Sequence, residues 1–341
     1  MKIAIVNNLP RAVDAIQRVL ALTGRHQVSW VTGDGEEAVK KCAQDKPDLI
    51  LMDMVLPVLN GVEATRQIMA NSPCAVLVVT ATVSGATSKV FEALGAGAID
   101  AINTPEINEN ASEIPTALLK KIDMVERLIF GANREKTFRS SHTRTRRLAI
   151  RKEKDRLVVI GSSAGGPVAL AEVLGSLPKN FPAAVIIVQH VDSQFAQGLA
   201  DWLNEQSKLP VRVAREGERP VKGTVLVAGK NDHLIFVDAD TLGYTPNPVD
   251  YVYRPSVDVF FESVVKHWRG ETVGVLLTGM GRDGAQGMKM LRNAGCHTIA
   301  QDKASCLVYG MPKAAVALEA VDEILALNQI GLTLKKMHAA S

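Results

Sequence analysis

The sequence predicts an α/β protein of two doubly wound, parallel-sheet domains joined by a basic linker. Three observations predict it. The chain has 341 residues, and at roughly 150 residues per domain that length suggests about two domains. Short runs rich in Val and Ile alternate with amphipathic stretches, once before residue 125 and again after residue 156, the pattern of strands joined by helical crossovers. Between the two series, residues 131–156 carry ten Lys/Arg and three acids, a local charge of +7, against +3 for the whole chain. The rest of the protein is therefore mildly acidic, at −4.

In the first series the strand candidates are Ile3 to Val6, Gln27 to Val31, Leu49 to Met52, Ala75 to Thr80 and Ala98 to Ile102. Ser112 to Phe130 follows as a helix, with Ser112 as its N-cap. The basic strip has few apolar residues and reads as a solvated linker. From Leu157 the alternation resumes with Leu157 to Ile160, Ala184 to Val188, Val211 to Ala214, Val273 to Leu277 and Thr298 to Ala300. Gly223 to Ala228 and Leu234 to Val237 read as an added antiparallel pair turning at Gly229 to Asp232. Helices are expected near Pro167 to Leu174, Gln194 to Glu205, Ser256 to His267, Ala285 to Asn293 and Lys313 to Glu323. The domain limits follow: 1–125, a linker over 126–155, and 156–341.

Composition narrows the function. A basic stretch in a linker, on an acidic body, is unlike the folded basic face of a nucleic-acid-binding protein, and 4% aromatic residues leave little for base stacking. No apolar run approaches the ~18 residues of a membrane span, and the apolar start is too short for a signal peptide. No nucleic-acid partner, no membrane insertion and a cytoplasmic location are expected. Cys42, Cys74, Cys296 and Cys306 lack CxxC spacing and are expected as small buried residues rather than metal ligands or disulfides.

The chemistry concentrates where Leu157 to Ile160 runs into Gly161-Ser162-Ser163-Ala164-Gly165-Gly166. Such a strand–turn–helix junction sets a side chain at the carboxyl end of a sheet, beside free amides and the positive end of a helix dipole. Three readings compete. A GxGxxG dinucleotide loop fails twice, because Ser163 stands at the second glycine and His190 stands where an acid is expected. A GxSxG turn makes Ser163 a nucleophile, which requires a base. An ordinary Ser/Gly cap does nothing else. His190, closing the strand from Val185 to Gln189, reaches the same edge if the two strands are neighbours. Asp283, in Thr278-Gly279-Met280-Gly281-Arg282-Asp283-Gly284, could orient that imidazole; its plainer role is helix capping. The order Ser…His…Asp differs from the Ser…Asp…His of α/β-hydrolases. His233 remains a further candidate, while His26, His142 and His267 suggest only surface positions and His297 and His338 structural ones or none.

These residues carry a family likeness. Gly161 to Gly166, Gln189-His190, Arg254-Pro255-Ser256-Val257-Asp258, Thr278 to Gly284, and Ala304-Ser305-Cys306 with Tyr309-Gly310-Met311-Pro312 stand in the order found in CheB-type chemotaxis protein-glutamate methylesterases. The likeness covers essentially the whole chain. It implies a flavodoxin-like receiver and a Rossmann-like esterase domain. It also implies hydrolysis of γ-glutamyl methyl esters on methyl-accepting chemoreceptors, often with deamidation of selected glutamines. Carried over, Ser163 resembles the nucleophile, His190 the general base and acid, and Asp283 the orienting carboxylate. Backbone amides near Met280 and Ser163 are expected at the oxyanion site, with Met280, Gly281 and Ala164 as its supports. The esterase needs no cofactor. Ala164 departs from the Thr usual after the catalytic Ser, and Arg254 to Asp258 is expected to support rather than react.

The first domain resembles a response-regulator receiver. Asp53, with Pro57 and Gly61 at the spacing DxxxPxxxG, matches the phosphoacceptor, Thr80 matches the switch hydroxyl, and a CheA-type histidine kinase is the implied phosphodonor. Receivers carry an acidic pair after the first strand and a Lys before the Pro that follows the fifth. This chain has Asn7-Asn8 and Thr104 instead. Mg²⁺ prefers carboxylate oxygens, so weakened Mg²⁺ binding at Asp53 and Asn8 is expected, with slow, altered or absent phosphorylation. A similar loss is familiar from Wsp-type, surface-sensing methylesterases. A receiver on a flexible tether is also expected to cover the Ser163 site as a lid. The competing reading from another class is a catalytically idle regulatory or scaffold protein: Ser163, His190 and Asp283 favour the enzyme, whereas Asn7, Asn8 and Thr104 favour atypical regulation.

Overall fold

The computed structural model describes residues 1–80, 83–105, 116–130, 155–249, 251 and 253–339. The chain divides into two compact units, Met1–Lys136 and Thr137–Ser341. The basic strip up to Lys154, the Ser112 cap and His142 lie outside the described residues.

The first unit runs β1 (Lys2–Val6), α1 (Pro10–Ala21), β2 (Gln27–Thr32), α2 (Gly35–Gln44), β3 (Leu49–Met52), α3 (Gly61–Asn71), β4 (Ala75–Thr80), α4 (Val83–Gly95), β5 (Asp100–Asn103) and α5 (Thr116–Phe130). Its five strands are parallel in the order β2-β1-β3-β4-β5. All four residues of β3 are buried, as expected where helices cover both faces of a sheet. Local signals set the helix starts. Pro10 opens α1 with its φ already helical, while Asp34 and Asn60 accept the amides of Glu37 and Glu63 at the starts of α2 and α3. The fifth strand begins at Asp100, two residues later than the apolar run suggests. α5 ends at Phe130, where the sequence pattern places its end, and so runs past the domain limit drawn at 125. The cysteines are only partly as expected: Cys42 is buried, but Cys74, Cys296 and Cys306 are half-buried. Cys42 and Cys74 also bring their Sγ atoms within 3.8 Å, a proximity that their spacing did not reveal.

The second unit holds β6 (Arg156–Ser162), α6 (Gly166–Ser176), β7 (Ala184–Gln189), α7 (Ser193–Gln206), β8 (Val211–Val213), β9 (Val225–Val227), β10 (His233–Phe236), β11 (Leu242–Thr245) and α8 (Val257–His267). It continues with β12 (Glu271–Leu276), α9 (Ala285–Asn293), β13 (His297–Gln301), α10 (Met311–Ala317), β14 (Glu323–Leu325) and α11 (Leu327–Ala339). Seven strands form a parallel sheet ordered β14-β13-β12-β6-β7-β9-β8. Two expectations are corrected here. Gly223–Ala228 does not pair with Leu234–Val237: Val225–Val227 is a wholly buried apolar run and joins the main sheet beside β7 and β8. Its expected partner turns back instead on β11, through an Asx turn in which Asp238 accepts the amides of Asp240 and Thr241. The helix expected over Lys313 to Glu323 stops at Ala317, and Glu323–Leu325 becomes the edge strand β14.

β6 lies between β7, which follows it, and β12, which comes much later. The chain thus winds away from β6 in both directions, creating a crevice at its carboxyl end where open α/β sheets hold ligands. Beneath it pack Phe260 and Phe261 of α8, both wholly buried, each worth roughly 1.5–3 kcal/mol of hydrophobic burial.

Candidate active site

Ser163, His190 and Asp283 leave the carboxyl ends of β6, β7 and β12. The β6–β7 register sets Ser162 opposite Gln189, and the His190 amide donates to the Ser162 carbonyl at 3.1 Å. On the other flank the Ser163 amide donates to Thr278 O at 3.1 Å. Two buried glutamines hold the strand ends. Gln189 Nε2 donates to Ser163 O at 2.9 Å while its Oε1 accepts Ser162 Oγ at 2.6 Å; Gln301 Oε1 accepts the Thr278 amide at 2.8 Å. The turn after Ser163 closes through Gly165 at φ 75, a left-handed conformation that glycine adopts without strain.

His190 is 6% exposed. Its Nε2 lies 2.7 Å from Asp283 Oδ2, and its ring stacks on Tyr253 with centroids 4.2 Å apart and planes 3° from parallel. Asp283 also accepts Ser256 Oγ at 2.8 Å, the Val257 amide at 2.7 Å and the Asp258 amide at 3.0 Å. Burial pushes its acid up, but the hydrogen bond and charge of His190 together with the amides of Val257 and Asp258 outweigh burial and hold it below the usual carboxylate range. Asp283 is thus an anion that can only accept. The shared proton belongs to His190 Nε2, so in the neutral form of the ring Nδ1 is the nitrogen that bears the lone pair. That Nδ1 is buried and without a hydrogen-bond partner among the described residues. Ser163, 3% exposed, likewise makes no Oγ hydrogen bond to a described residue. A hydroxyl and an unprotonated imidazole nitrogen at adjacent strand ends, the imidazole anchored by a carboxylate, can perform nucleophilic acyl transfer.

The amides near Met280 and Ser163 are those expected at the oxyanion site. The Ser163 amide is committed to Thr278 O and is not free to serve. The amides of Ala164, Met280 and Gly281 have no partner among the described residues. Their loop is pinned: Gly279 O accepts the amides of Gly310 and Met311 at 3.1 and 2.9 Å. A Cβ on Gly279 would stand 2.2 Å from Met311 Sδ and 2.9 Å from Ser163 Cβ, so only glycine lets this loop lie flush against Ser163. Ala164 is 2% exposed, and its carbonyl accepts Thr278 Oγ1 at 2.9 Å.

His233 is wholly buried, with Nδ1 accepting the Ser256 amide and Nε2 donating to Pro248 O, both at 3.1 Å. It fixes the residue that supports Asp283 and faces no reactant. His297 bonds Glu323 at 2.6 Å on the far strands. His26 and His267 are half-buried rather than on the surface. Sequence reasoning missed Tyr253 and the bridging roles of Gln189 and Gln301. A glutamine ending an otherwise apolar strand was a readable sign, since a buried amide must find partners; the Tyr253 stack left no local trace.

In the first unit, Asp53 follows β3 and is 5% exposed. Its Oδ1 accepts the Met54 amide at 2.7 Å. Burial raises its acid, and the amides of Met54 and Val55 with the Thr80 hydroxyl only partly offset the rise. Around it, Asn7 already spends its Oδ1 on the Leu9 amide at 2.8 Å, Asn8 is exposed, and the buried Thr104 Oγ1 has no partner among the described residues. One carboxylate, one committed amide and one exposed amide offer fewer charged oxygens than the hard shell that Mg²⁺ prefers. Elsewhere in this unit, His26, Asp123 and Glu126 bring ligand atoms within 4.8 Å of one another, but Arg25 pairs with both acids. No described helix is long and apolar enough to cross a membrane.

The CheB methylesterase family matches residues 158–334, and the response regulator receiver domain family matches residues 3–114. Protein-glutamate methylesterase/protein-glutamine glutaminase 2 of Cupriavidus metallidurans is 54% identical over 331 residues, covering 97% of this chain and 96% of that protein. Protein-glutamate methylesterase/protein-glutamine glutaminase 3 of Pseudomonas aeruginosa is 52% identical and covers 97% of both. The crystal structure of the Thermotoga maritima CheB methylesterase catalytic domain superposes with a TM-score of 0.52 at 34% identity, covering 54% of this chain and 98% of that one.

Proposed function

The chain belongs to the CheB methylesterase family and carries a receiver domain, and from that premise we propose a serine mechanism for its protein-glutamate methylesterase and protein-glutamine glutaminase activity. Ser163 Oγ attacks the γ-carbonyl carbon of the ester as His190 Nδ1 takes its proton. The resulting oxyanion is met by amides from Met280, Gly281 and Ala164, which are held in place before reaction. Asp283 stabilises the imidazolium and fixes its tautomer. Collapse of the intermediate breaks the C–O bond, and methanol leaves with the proton from His190. Water, deprotonated by the same nitrogen, then cleaves the Ser163 acyl ester and releases glutamate. With glutamine the leaving group is ammonia and the remaining steps are unchanged.

The observation that carries this reading is the 2.7 Å bond from Asp283 to His190 Nε2, which leaves Nδ1 as a base beside the end of β6. CheB methylesterases act on chemoreceptors and receivers accept phosphoryl groups from kinases. The substrate proposed for this chain is a methyl-accepting chemoreceptor in the cytoplasm, with a CheA-type kinase as phosphodonor. The receiver is proposed to bind Mg²⁺ weakly and to accept phosphoryl at Asp53 slowly. The test is methanol release from methylated receptor by the wild type and by Ser163→Ala, with and without a phosphodonor. Wild-type release that vanishes in the variant is expected. No release from the wild type under any condition rejects the enzyme, whereas release indifferent to the donor identifies a receiver that does not switch by phosphorylation.

A further inference from the structure

Asp258 takes no part in the reaction above, yet it faces the loop that carries Asp283. It is the second residue of α8, and its Oδ1 accepts the Gly287 amide at 2.7 Å. The amides of Gly284 and Gln286 also bond its carboxylate. These are donors at the start of α9, where the first N–H groups have no intrahelical acceptor. The residue at the N-cap position of α9 cannot supply one: it is Gly284, at φ 88 and without a side-chain cap.

Asp283, just before α9, meanwhile accepts the amides of Val257 and Asp258 at the start of α8. The start of α9 is therefore bonded by a carboxylate on α8, and the start of α8, beside its own Ser256 cap, by the carboxylate that precedes α9. The helices also approach closely: a Cβ on Gly287 would lie 2.6 Å from Phe261 Cβ and 3.3 Å from Asp258 Cα. Placing two carboxylates so near each other is unfavourable, and burial and the charge of Asp283 push the Asp258 acid up to about 7. A local Ser or Asn cap would satisfy the same amides without that repulsion. What the pairing adds is a fixed registry between the two helix starts, one carrying Ser256 and the other preceded by Asp283 and the free amides of Met280 and Gly281.

We propose that Asp258 is a positioning residue for ester hydrolysis, holding the 280–287 loop against α8 so that Asp283 keeps His190 in its reactive orientation. This rests on the serine mechanism proposed above. Asp258→Ala removes the acceptor, whereas Asp258→Asn keeps an oxygen for the Gly287 amide and removes only the charge.

The test uses the full chain and methylated receptor, with kcat and KM measured separately, melting followed for each variant, and the low-field N–H resonance of His190 recorded by NMR. Asp258→Ala is expected to lower kcat about 10- to 100-fold, the scale of a small misplacement at a reacting group. KM should hold, and the low-field resonance should broaden or vanish. Asp258→Asn is expected to recover most of the kcat and the resonance. Wild-type kcat in a folded Asp258→Ala protein overturns the proposal, as does an Asp258→Asn variant as impaired as the alanine. If the alanine variant does not fold, the asparagine variant decides alone: retained kcat and resonance support the proposal, and their loss overturns it. A wild type that releases no methanol overturns the serine mechanism itself, whereas turnover with an unaffected Asp258→Ala overturns only this inference.

Discussion

Two aspartates, each in the loop between a strand of a parallel sheet and the helix that follows it and each more than nine-tenths buried by solvent exposure, are driven in opposite directions by their surroundings. Asp283 sits below the usual carboxylate range because His190, a hydroxyl and two amides point at it. Asp53 sits above it because burial outweighs two amides and one hydroxyl. The lesson is that a strand-end carboxylate is only as reactive as its donors make it. One unit supplies a histidine and a helix start, while the other sets only neutral side chains, Asn7, Asn8 and Thr104, in the loops beside its aspartate.

The harshest way to break this contrast is to neutralise the anion that matters. Asp283→Asn should lower kcat for methanol release by about 10⁴-fold, since an amide no longer fixes the histidine tautomer; a loss of under ten-fold would show that Asp283 is a cap and little more. The reverse experiment rebuilds the depleted pocket. Asn7→Asp, Asn8→Asp and Thr104→Lys together should create saturable Mg²⁺ binding at millimolar concentrations, read by titration calorimetry, where the wild type gives little. Equal binding in both would erase the difference between the two sites.

Stability should split by sign. Because folding raises the Asp53 acid, ionising it costs the folded state, and the cost grows as pH climbs through the raised value. Asp53→Asn should therefore stabilise the receiver at pH 7, with a gain that shrinks in acid. Folding lowers the Asp283 acid, so its contribution is full above the unfolded value and is lost as pH falls through the folded one. Asp283→Asn should destabilise the esterase unit at pH 7, with a deficit that narrows in acid. Melting curves across pH check both, and shifts of the same sign would refute the electrostatic contrast. The smallest effect belongs to Tyr253. A ring face on an imidazolium is worth about 0.5–2 kcal/mol, so Tyr253→Leu should cost roughly two- to thirty-fold in kcat, and Tyr253→Phe, which keeps the face, should cost little.

Much of this was legible in the sequence. All twelve strand candidates overlap observed strands, because a segment buried within a sheet must be largely apolar. Ser163, His190 and Asp283 could be singled out because polar residues between apolar strands and glycine-rich turns need a reason to be there. The failures share a different cause. Val225–Val227 and His233–Phe236 look equally strand-like, and nothing local says which sheet each will join. Met311–Ala317 and Glu323–Leu325 were merged because short helix and strand signals overlap where neither is long.

By itself, then, the sequence determined the periodic elements, the glycine-rich turns, and the amides that stand at Asn7 and Asn8. All of these are set by the chemistry of a few adjacent residues. Only the tertiary structure decided that β12 lies beside β6, that Tyr253 covers His190, and that Asp258 and Asp283 bond the starts of α9 and α8. Those pairings join segments distant in the chain, and their free energy exists only once the whole sheet and its covering helices have packed together.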